Sequence, residues 1–253
     1  MTFRSTFALL VFAASALSAQ TPKSGRDVLE AMRAAYSGKW YHTLTFTQKT
    51  TTKAADGTPR VATWYEALAH TAAGTQLRID VGEPSAGNGM MYTPDSVVRM
   101  RGGQVAGRTA DGNVFLPLIE GVYVQSVEKT IKELAPHKID MSKVYQTKWA
   151  GHPTWVVGSA SAADTTSPQF WVDADTKLLT RMLLPLQENA PPYDIQLSGY
   201  VKAGGGWLAT KVVMSQGGVA KQTEEYSDWK VDVDLDPGLF DPAKWTTVKH
   251  WKK

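Results

Sequence analysis

Apolar and polar residues alternate with a period of two along most of the chain beyond residue 40. Leu77, Ile79 and Val81 alternate with Arg78 and Asp80 in the clearest example, as in a strand whose successive side chains point to opposite faces of a sheet. Similar short segments recur between turns rich in glycine and aspartate, at residues 40–52, 61–68, 90–92, 96–100, 104–108, 143–149, 154–158, 193–202, 207–215 and 221–233. Strands of this length and spacing predict an antiparallel sheet.

The stretch 167–186 predicts the central hairpin of this sheet. Two apolar runs, 170–172 and 178–184, flank the turn sequence Asp-Ala-Asp-Thr-Lys that begins at Asp173. Its short polar side chains favour a reversal because they can hydrogen-bond to their own backbone. Asp173 and Asp175 are therefore interpreted as turn residues and not as a catalytic or calcium-binding pair, since an EF-hand loop would also need a glycine and a distant glutamate in register.

Two segments have the helical period instead. Ser24 can cap a first helix, with Asp27 as its capping-box partner, and the helix is expected to stop at Gly38. A second amphipathic helix in the middle of the chain ends at Pro136, and its apolar residues recur at spacings of three and four: Val124, Val127, Ile131 and Leu134. Because this helix interrupts a run of strands, we expect it to lie across an open sheet as a lid.

Residues 1–20 have the layout of a secretory signal peptide. Arg4 precedes an apolar run that is too short to span a bilayer, and small residues follow it at Ala16 to Ala19. Gln20 stands where a bacterial lipoprotein has its acylated cysteine, and the chain has no cysteine. We therefore expect a cleaved leader, a periplasmic protein that is not itself lipidated, and a single domain over residues 21–253, whose stability depends on core burial instead of disulfides.

Composition and charge exclude several functional classes. The formal net charge is only +3, and the basic residues are scattered, so nucleic acid is not expected as a partner. The basic tail from Lys249 can touch anionic lipid, although a solvated, frayed terminus is the expected state.

Catalytic and metal sites are not expected either. The absence of cysteine rules out thiol catalysis and thiolate zinc sites. The sequence also lacks the common zinc-protease, nucleophile-elbow and phosphate-loop motifs. Its five histidines are widely separated: His42, His70, His137, His152 and His250. We predict no catalytic residue, no metal site and no cofactor.

Three segments resemble the LolA-like outer-membrane lipoprotein-sorting proteins. The first is the hairpin W-V-D-A-D-T-K-L-L-T-R from Trp171, and the second is G-Y-V-K-A-G-G-G-W-L-A-T-K-V from Gly199. The third is the ending Y-S-D-W-K-V-D-V-D-L-D-P-G-L-F from Tyr226. The resemblance implies a mainly β (α+β) fold, an incomplete antiparallel β-barrel with an N-terminal helix and a mid-chain lid helix, and a hydrophobic cavity between sheet and helices.

The same resemblance implies a periplasmic protein that binds acyl chains of lipids or lipoproteins and takes part in outer-membrane biogenesis. Candidate wall residues are the apolar residues of the alternating strands and the lid: Phe46, Leu77, Ile79, Met91, Met100, Val127, Ile131, Val172, Met182, Leu184 and Leu197. Arg78 lies where family members carry an Arg-apolar-Asp segment, and it can hold a lipid head group or latch a lid helix. A solvent-facing Arg78 paired with Asp80 or a cross-strand acid is the alternative.

Two other functions fit the same fold. The chain can be a sensor or interaction module whose partner is a membrane protein of the envelope, or an enzyme acting on an envelope glycan or lipid. No acid–base pair in the sequence supports the enzyme, so the binding protein is the expected function.

Overall fold

The computed structural model describes residues 21–54, 56–110, 112–186 and 190–252. The signal peptide predicted over residues 1–20 lies outside them. Within the described residues, thirteen strands form one antiparallel sheet, and two more form a separate ribbon. The predicted open half-barrel with an N-terminal helix and a mid-chain lid is confirmed.

The first six strands of the sheet form a meander. They are β1 (Thr43–Lys53), β2 (Pro59–Thr71), β3 (Gly74–Val81), β4 (Gly89–Tyr92), β5 (Val97–Arg101) and β6 (Gln104–Thr109). Each pairs with the next, so that β6 is one edge of the sheet.

The nine remaining described strands are β7 (Val144–Trp149), β8 (His152–Val157), β9 (Gln169–Asp173), β10 (Leu179–Leu184), β11 (Tyr193–Ser198), β12 (Val201–Ala203), β13 (Gly206–Leu208), β14 (Lys211–Gln216) and β15 (Val219–Val231). Seven of them complete the sheet on the other side of β1, and β12 and β13 form the separate ribbon. The full order is β6-β5-β4-β3-β2-β1-β15-β14-β11-β10-β9-β8-β7, so the pairing of β1 with β15 joins the two halves of the chain.

The central hairpin is confirmed as β9 and β10. Asp173 folds its turn as predicted, because its Oδ1 accepts hydrogen bonds from the backbone N–H groups of Asp175 and Thr176. Arg181 on β10 forms two hydrogen bonds with Asp194 on β11 and stacks against Trp149 and Trp171.

The predicted strands 193–202 and 207–215 are each broken in the structure. The backbone leaves the main sheet at Gly199, which has a φ of 66°, and β12 and β13 then form the separate ribbon. The side chain of Thr210 donates a hydrogen bond to the carbonyl of Gly199 and fixes the branch point. Gly205 and Gly206 bring the ribbon close to Lys39 and Trp40, where a side chain on either glycine would clash.

The N-terminal helix α1 (Gly25–Tyr36) has the predicted capping box. Ser24 Oγ accepts from the backbone N–H of Asp27, whose carboxylate in turn accepts from the N–H of Ser24. Its apolar stripe, Val28, Leu29 and Met32, is fully buried in the main core.

The lid comprises residues 113–134. A π-helical turn (Pro117–Gly121) continues into α2 (Val122–Val124), and α3 (Val127–Leu134) follows. The single helix predicted from Val124 is therefore interrupted, because Gln125 is extended and Ser126 caps α3 by accepting from the N–H of Lys129. The described residues contain no helix that is long and apolar enough to cross a membrane.

The C-terminal segment, residues 234–252, forms a strap across the outer face of β3, β4 and β5. Two short 3-10 helices, Pro237–Phe240 and Pro242–Lys244, bring Trp245 onto Met91, Val98 and Met100. The frayed terminus expected from Lys249 is wrong for the described residues there, because His250 Nε2 lies 3.1 Å from Asp80 and the ring of Trp251 meets that of Tyr65 edge-on.

Candidate functional site

A cavity of about 240 Å³ lies between the inner face of the sheet and the lid. Rows of side chains on paired strands form its wall. Leu44, Leu68 and Leu77 make one row, and Phe46, Glu66, Ile79 and Met90 make the next. The lid contributes Asn113, Phe115, Leu116, Ile119 and Glu120. Most of this surface is hydrocarbon, as an acyl chain requires.

Only part of the predicted wall lines this cavity. Phe46, Leu77 and Ile79 do. Leu197 lines a smaller adjoining pocket of about 30 Å³, which shares Ile119 and Glu120 with the main cavity.

Five of the predicted wall residues belong to the hydrophobic core or, in the case of Ile131, pack against it, and none of them lines the cavity. They are Val127, Ile131, Val172, Met182 and Leu184. The three strand residues are at most 1% exposed, in the same cluster as the apolar stripe of α1. Alternation identified their buried face correctly, but it does not distinguish a packed core from a cavity wall.

Arg78, Met91 and Met100 lie on the opposite face of the sheet from the cavity. Because Leu77 and Ile79 point inward, Arg78 between them points outward, and it is paired in register with Met91. The strap covers all three residues, so the structure does not bring them to the cavity.

The environment of Arg78 differs from the solvent-facing pair considered from the sequence. Its Nε and Nη2 donate to the two carboxylate oxygens of Asp80 at 2.7 and 2.8 Å, and both side chains are 1% exposed. Its remaining donors reach the carbonyl oxygens of Leu239 and Trp245, and its guanidinium lies 3.9 Å from the ring centroid of Trp245. His250 Nε2 lies 3.1 Å from Asp80. This network makes Arg78 a latch, as one interpretation of the sequence predicted, but it fastens the C-terminal strap and not a lid helix.

Glu120 fastens the lid, and it was not predicted. Its carboxylate accepts hydrogen bonds from Trp40 Nε1 at 2.8 Å and from the Tyr41 hydroxyl at 2.6 Å, and His70 Nε2 lies 3.3 Å away. It is 3% exposed. The sequence did contain a signal for this role, since Glu120 is an acidic residue inside the apolar run 114–124. A carboxylate buried with such a run needs partners, and they hold the run in place.

Aromatic stacking holds the same part of the lid. The ring of Tyr123 stacks on Trp40 with 3.9 Å between centroids and meets Tyr36 edge-on at 5.3 Å. The Tyr123 hydroxyl donates to the carbonyl of Lys177, and Arg33 of α1 donates to the carbonyl of Gln125. The lid is thereby attached to both α1 and the central hairpin.

Besides Glu120, two buried carboxyl groups on the strands line the cavity, and neither was predicted from the sequence. Glu66 on β2 is 3% exposed and Glu224 on β15 is 8% exposed. Burial raises the pKa of Glu66 well above its usual range, and the proximity of Glu224 adds to the shift. Burial also raises the pKa of Glu224, against the hydrogen bonds from Tyr226 and Gln222, which favour its ionised form. Glu66 lies on the same face of β2 as Trp64 and Leu68. Its position among apolar residues was the feature of the sequence that could have predicted a buried carboxyl group.

The buried Glu66 predicts a pH-dependent effect of Glu66→Gln. The folded protein keeps a proton on Glu66 at pH values where the unfolded chain has lost it, so its stabilising contribution is present below pH 4.5 and is lost as the pH rises through the folded pKa. Because burial raises the pKa of Glu66, we expect Glu66→Gln to exceed the wild type in free energy of unfolding at pH 8, by a margin that grows as the pH rises above 4.5. The difference should disappear near pH 4.

Urea denaturation across this pH range measures the effect. Glu225→Gln is the matched control, because Glu225 is the neighbour of Glu224 on the exposed face, where Lys49 lowers its pKa. Its stability difference should not grow between pH 5 and 8. A constant difference for Glu66→Gln over the same range would contradict an ionisable group buried in the cavity.

Solved structures with a similar fold are known. No protein-family model matches the chain, and no curated protein matches it. A solved structure described as an outer membrane lipoprotein-sorting protein domain from Vibrio parahaemolyticus is similar, with a TM-score of 0.55, 10% identity, and coverage of 88% of this chain and 98% of that one.

Two further solved structures are similar. A DUF1329 family protein from Desulfovibrio piger has a TM-score of 0.54 at 13% identity, with 86% of this chain and 95% of that one covered. A LolA superfamily protein from Nitrosomonas europaea has a TM-score of 0.51 at 10% identity, with 86% and 97% covered. The chain therefore has the LolA-like fold.

Proposed function

We propose that this chain is a periplasmic binding protein that shields an acyl chain of a lipid or lipoprotein in the cavity beneath its lid. The observation that carries the proposal is the cavity itself, an apolar space of about 240 Å³ between a curved sheet and a separate covering segment. The likeness in fold to a lipoprotein-sorting domain supports it, as does the signal-peptide pattern of residues 1–20. Binding and release, without a reaction, is the proposed activity.

The size of the cavity sets the length of chain that it accepts when the lid is closed. A space of about 240 Å³ accepts a short segment of one acyl chain. Each methylene that is buried there contributes about 0.8 kcal/mol, and the freedom lost on binding offsets part of this gain. A longer chain, or more than one chain, then requires the lid to move outward.

Filling the cavity tests this function. The variant carrying both Met90→Trp and Met214→Trp adds two large rings at lining positions that are only partly buried. Because the added volume takes the place of the ligand, we expect the affinity for the neutral fluorophore N-phenyl-1-naphthylamine to fall at least tenfold. Fluorescence titration measures the affinity, and circular dichroism confirms folding.

Val105→Trp is the control for this experiment. Val105 on β6 is 52% exposed and does not line the cavity, so its replacement adds the same ring without occupying the space. Its affinity should equal that of the wild type. Unchanged affinity in a folded double variant would contradict binding in this cavity.

A further inference from the structure

Two buried polar atoms on residues of β2 that line the cavity have no hydrogen-bond partner. One is Oε1 of Glu66 and the other is Nε1 of Trp64, and both atoms are buried. The two residues are separated by one position on the same strand, so their side chains project from one face about 7 Å apart. Buried polar atoms almost always have partners, and a bound ligand that enters the cavity can supply them.

Among the described polar residues that line the cavity, Trp64 and Glu66 carry the buried side-chain atoms that lack a hydrogen-bond partner. Glu224 accepts from Gln222 and Tyr226, and the side chain of Gln48 donates to Thr50. These groups already satisfy one another. Trp64 and Glu66 therefore form a distinct subsite, because the rest of the surface around them is apolar or already hydrogen-bonded.

The charges around the cavity restrict what this subsite accepts. Its described lining contains three carboxyl groups, those of Glu66, Glu120 and Glu224, and no lysine, arginine or histidine. An anionic group placed there would lose its hydration without gaining a counter-charge. An uncharged group that both donates and accepts a hydrogen bond fits, because the indole N–H donates and a protonated Glu66 carboxyl can do both.

We propose that Trp64 and Glu66 bind an uncharged hydroxyl or amide group of an amphiphile whose chain fills the apolar part of the cavity, and that the site discriminates against anionic amphiphiles. This specificity rests on the proposed function, since it requires a chain in the cavity. The ligand class is therefore neutral amphiphiles, and a free fatty acid in its ionised form is excluded.

Two probes of equal chain length test the discrimination. At pH 7, 1-octanol is neutral and octanoate is ionised, since a carboxyl group ordinarily titrates near pH 4.5. Each is used to displace N-phenyl-1-naphthylamine from the full-length protein after export and purification. We expect 1-octanol to bind at least tenfold more tightly than octanoate.

Two substitutions at one position test the role of Glu66. Glu66→Gln keeps an uncharged group that donates and accepts, so affinity for 1-octanol should remain within about twofold of the wild type. Glu66→Leu removes the polar group at similar volume, and the affinity for 1-octanol should fall about fivefold, the equivalent of one ordinary hydrogen bond. Circular dichroism identifies any variant that fails to fold. If Glu66→Leu does not fold, two measurements still test the subsite: the affinity of Glu66→Gln for 1-octanol relative to the wild type, and the preference of the wild type for 1-octanol over octanoate.

The outcomes separate the two proposals. Equal binding of 1-octanol and octanoate by the wild type, or full affinity for 1-octanol in folded Glu66→Leu, would overturn the subsite and leave the acyl-binding cavity intact. If neither probe nor the fluorophore binds, both proposals fail.

Discussion

Arg78→Met is expected to lower the free energy of unfolding by about 3–5 kcal/mol, because it leaves the carboxylate of Asp80 buried without its main counter-charge. The loss is large because the pair is almost inaccessible to solvent and two of the three guanidinium nitrogens donate to the carboxylate. The substitution also removes the donors to the strap carbonyls of Leu239 and Trp245. Urea denaturation gives the stability.

Release of the strap provides a second readout. Lys244 and Lys249 are exposed residues within it, so trypsin should cut there faster in Arg78→Met than in the wild type under native conditions. Arg181→Met is the comparison, because its pair with Asp194 is partly exposed and lies away from the strap. It should lose less stability and leave cleavage in the strap unchanged.

The double variant Arg78→Met with Asp80→Leu separates a buried charge from lost packing. Removing both charges should restore part of the stability that the single substitution loses, since a buried pair is costly mainly when one partner is left alone. A single variant that loses less than about 1 kcal/mol would contradict the latch.

Glu120→Ala is expected to cost about 2–4 kcal/mol and to loosen the lid. The substitution leaves the indole N–H of Trp40 and the hydroxyl of Tyr41 buried without their acceptor, and each unsatisfied donor costs about 1–3 kcal/mol. Hydrogen exchange should accelerate at least tenfold in residues 114–124 relative to β10, because the bonds join the lid to the segment before β1.

Glu128→Ala is the matched control on the same lid. Glu128 is an exposed residue of α3, paired with Arg26 on the surface, so its removal should change neither stability nor exchange in residues 114–124 appreciably. If exchange in Glu120→Ala matches that of the wild type, Glu120 does not fasten the lid.

The sequence predicted the sheet well because its strands are short, alternate clearly and end at turn residues. The same alternation does not show whether Arg78 is exposed or buried, because it occupies an outward-facing position between Leu77 and Ile79 of β3. Its burial depends on Leu239 and Trp245 of the strap, which lie 161 and 167 residues further along the chain. In the sequence the strap has the pattern of a polar tail with scattered tryptophans. Burial of that kind is a tertiary effect and has no local signal.

A hydrophobic cavity between the sheet and a lid was predicted, but only some of its lining residues were identified. Phe46, Leu77 and Ile79 line it, whereas Val172 and Met182 face the core on strands further around the sheet. The difference lies in what covers each strand, which alternation does not encode. Glu66 and Glu120 were recoverable, since each is an acid at an otherwise apolar position.

Native mass spectrometry tests the central claim, that the cavity holds an acyl chain, most directly. The full chain is produced with its own leader in a bacterial host, purified from the periplasm, and weighed under native and denaturing conditions. We predict a native mass excess that disappears on denaturation and that yields a lipid or lipopeptide on extraction. Identical native and denatured masses, with no lipid in the extract, would contradict the claim.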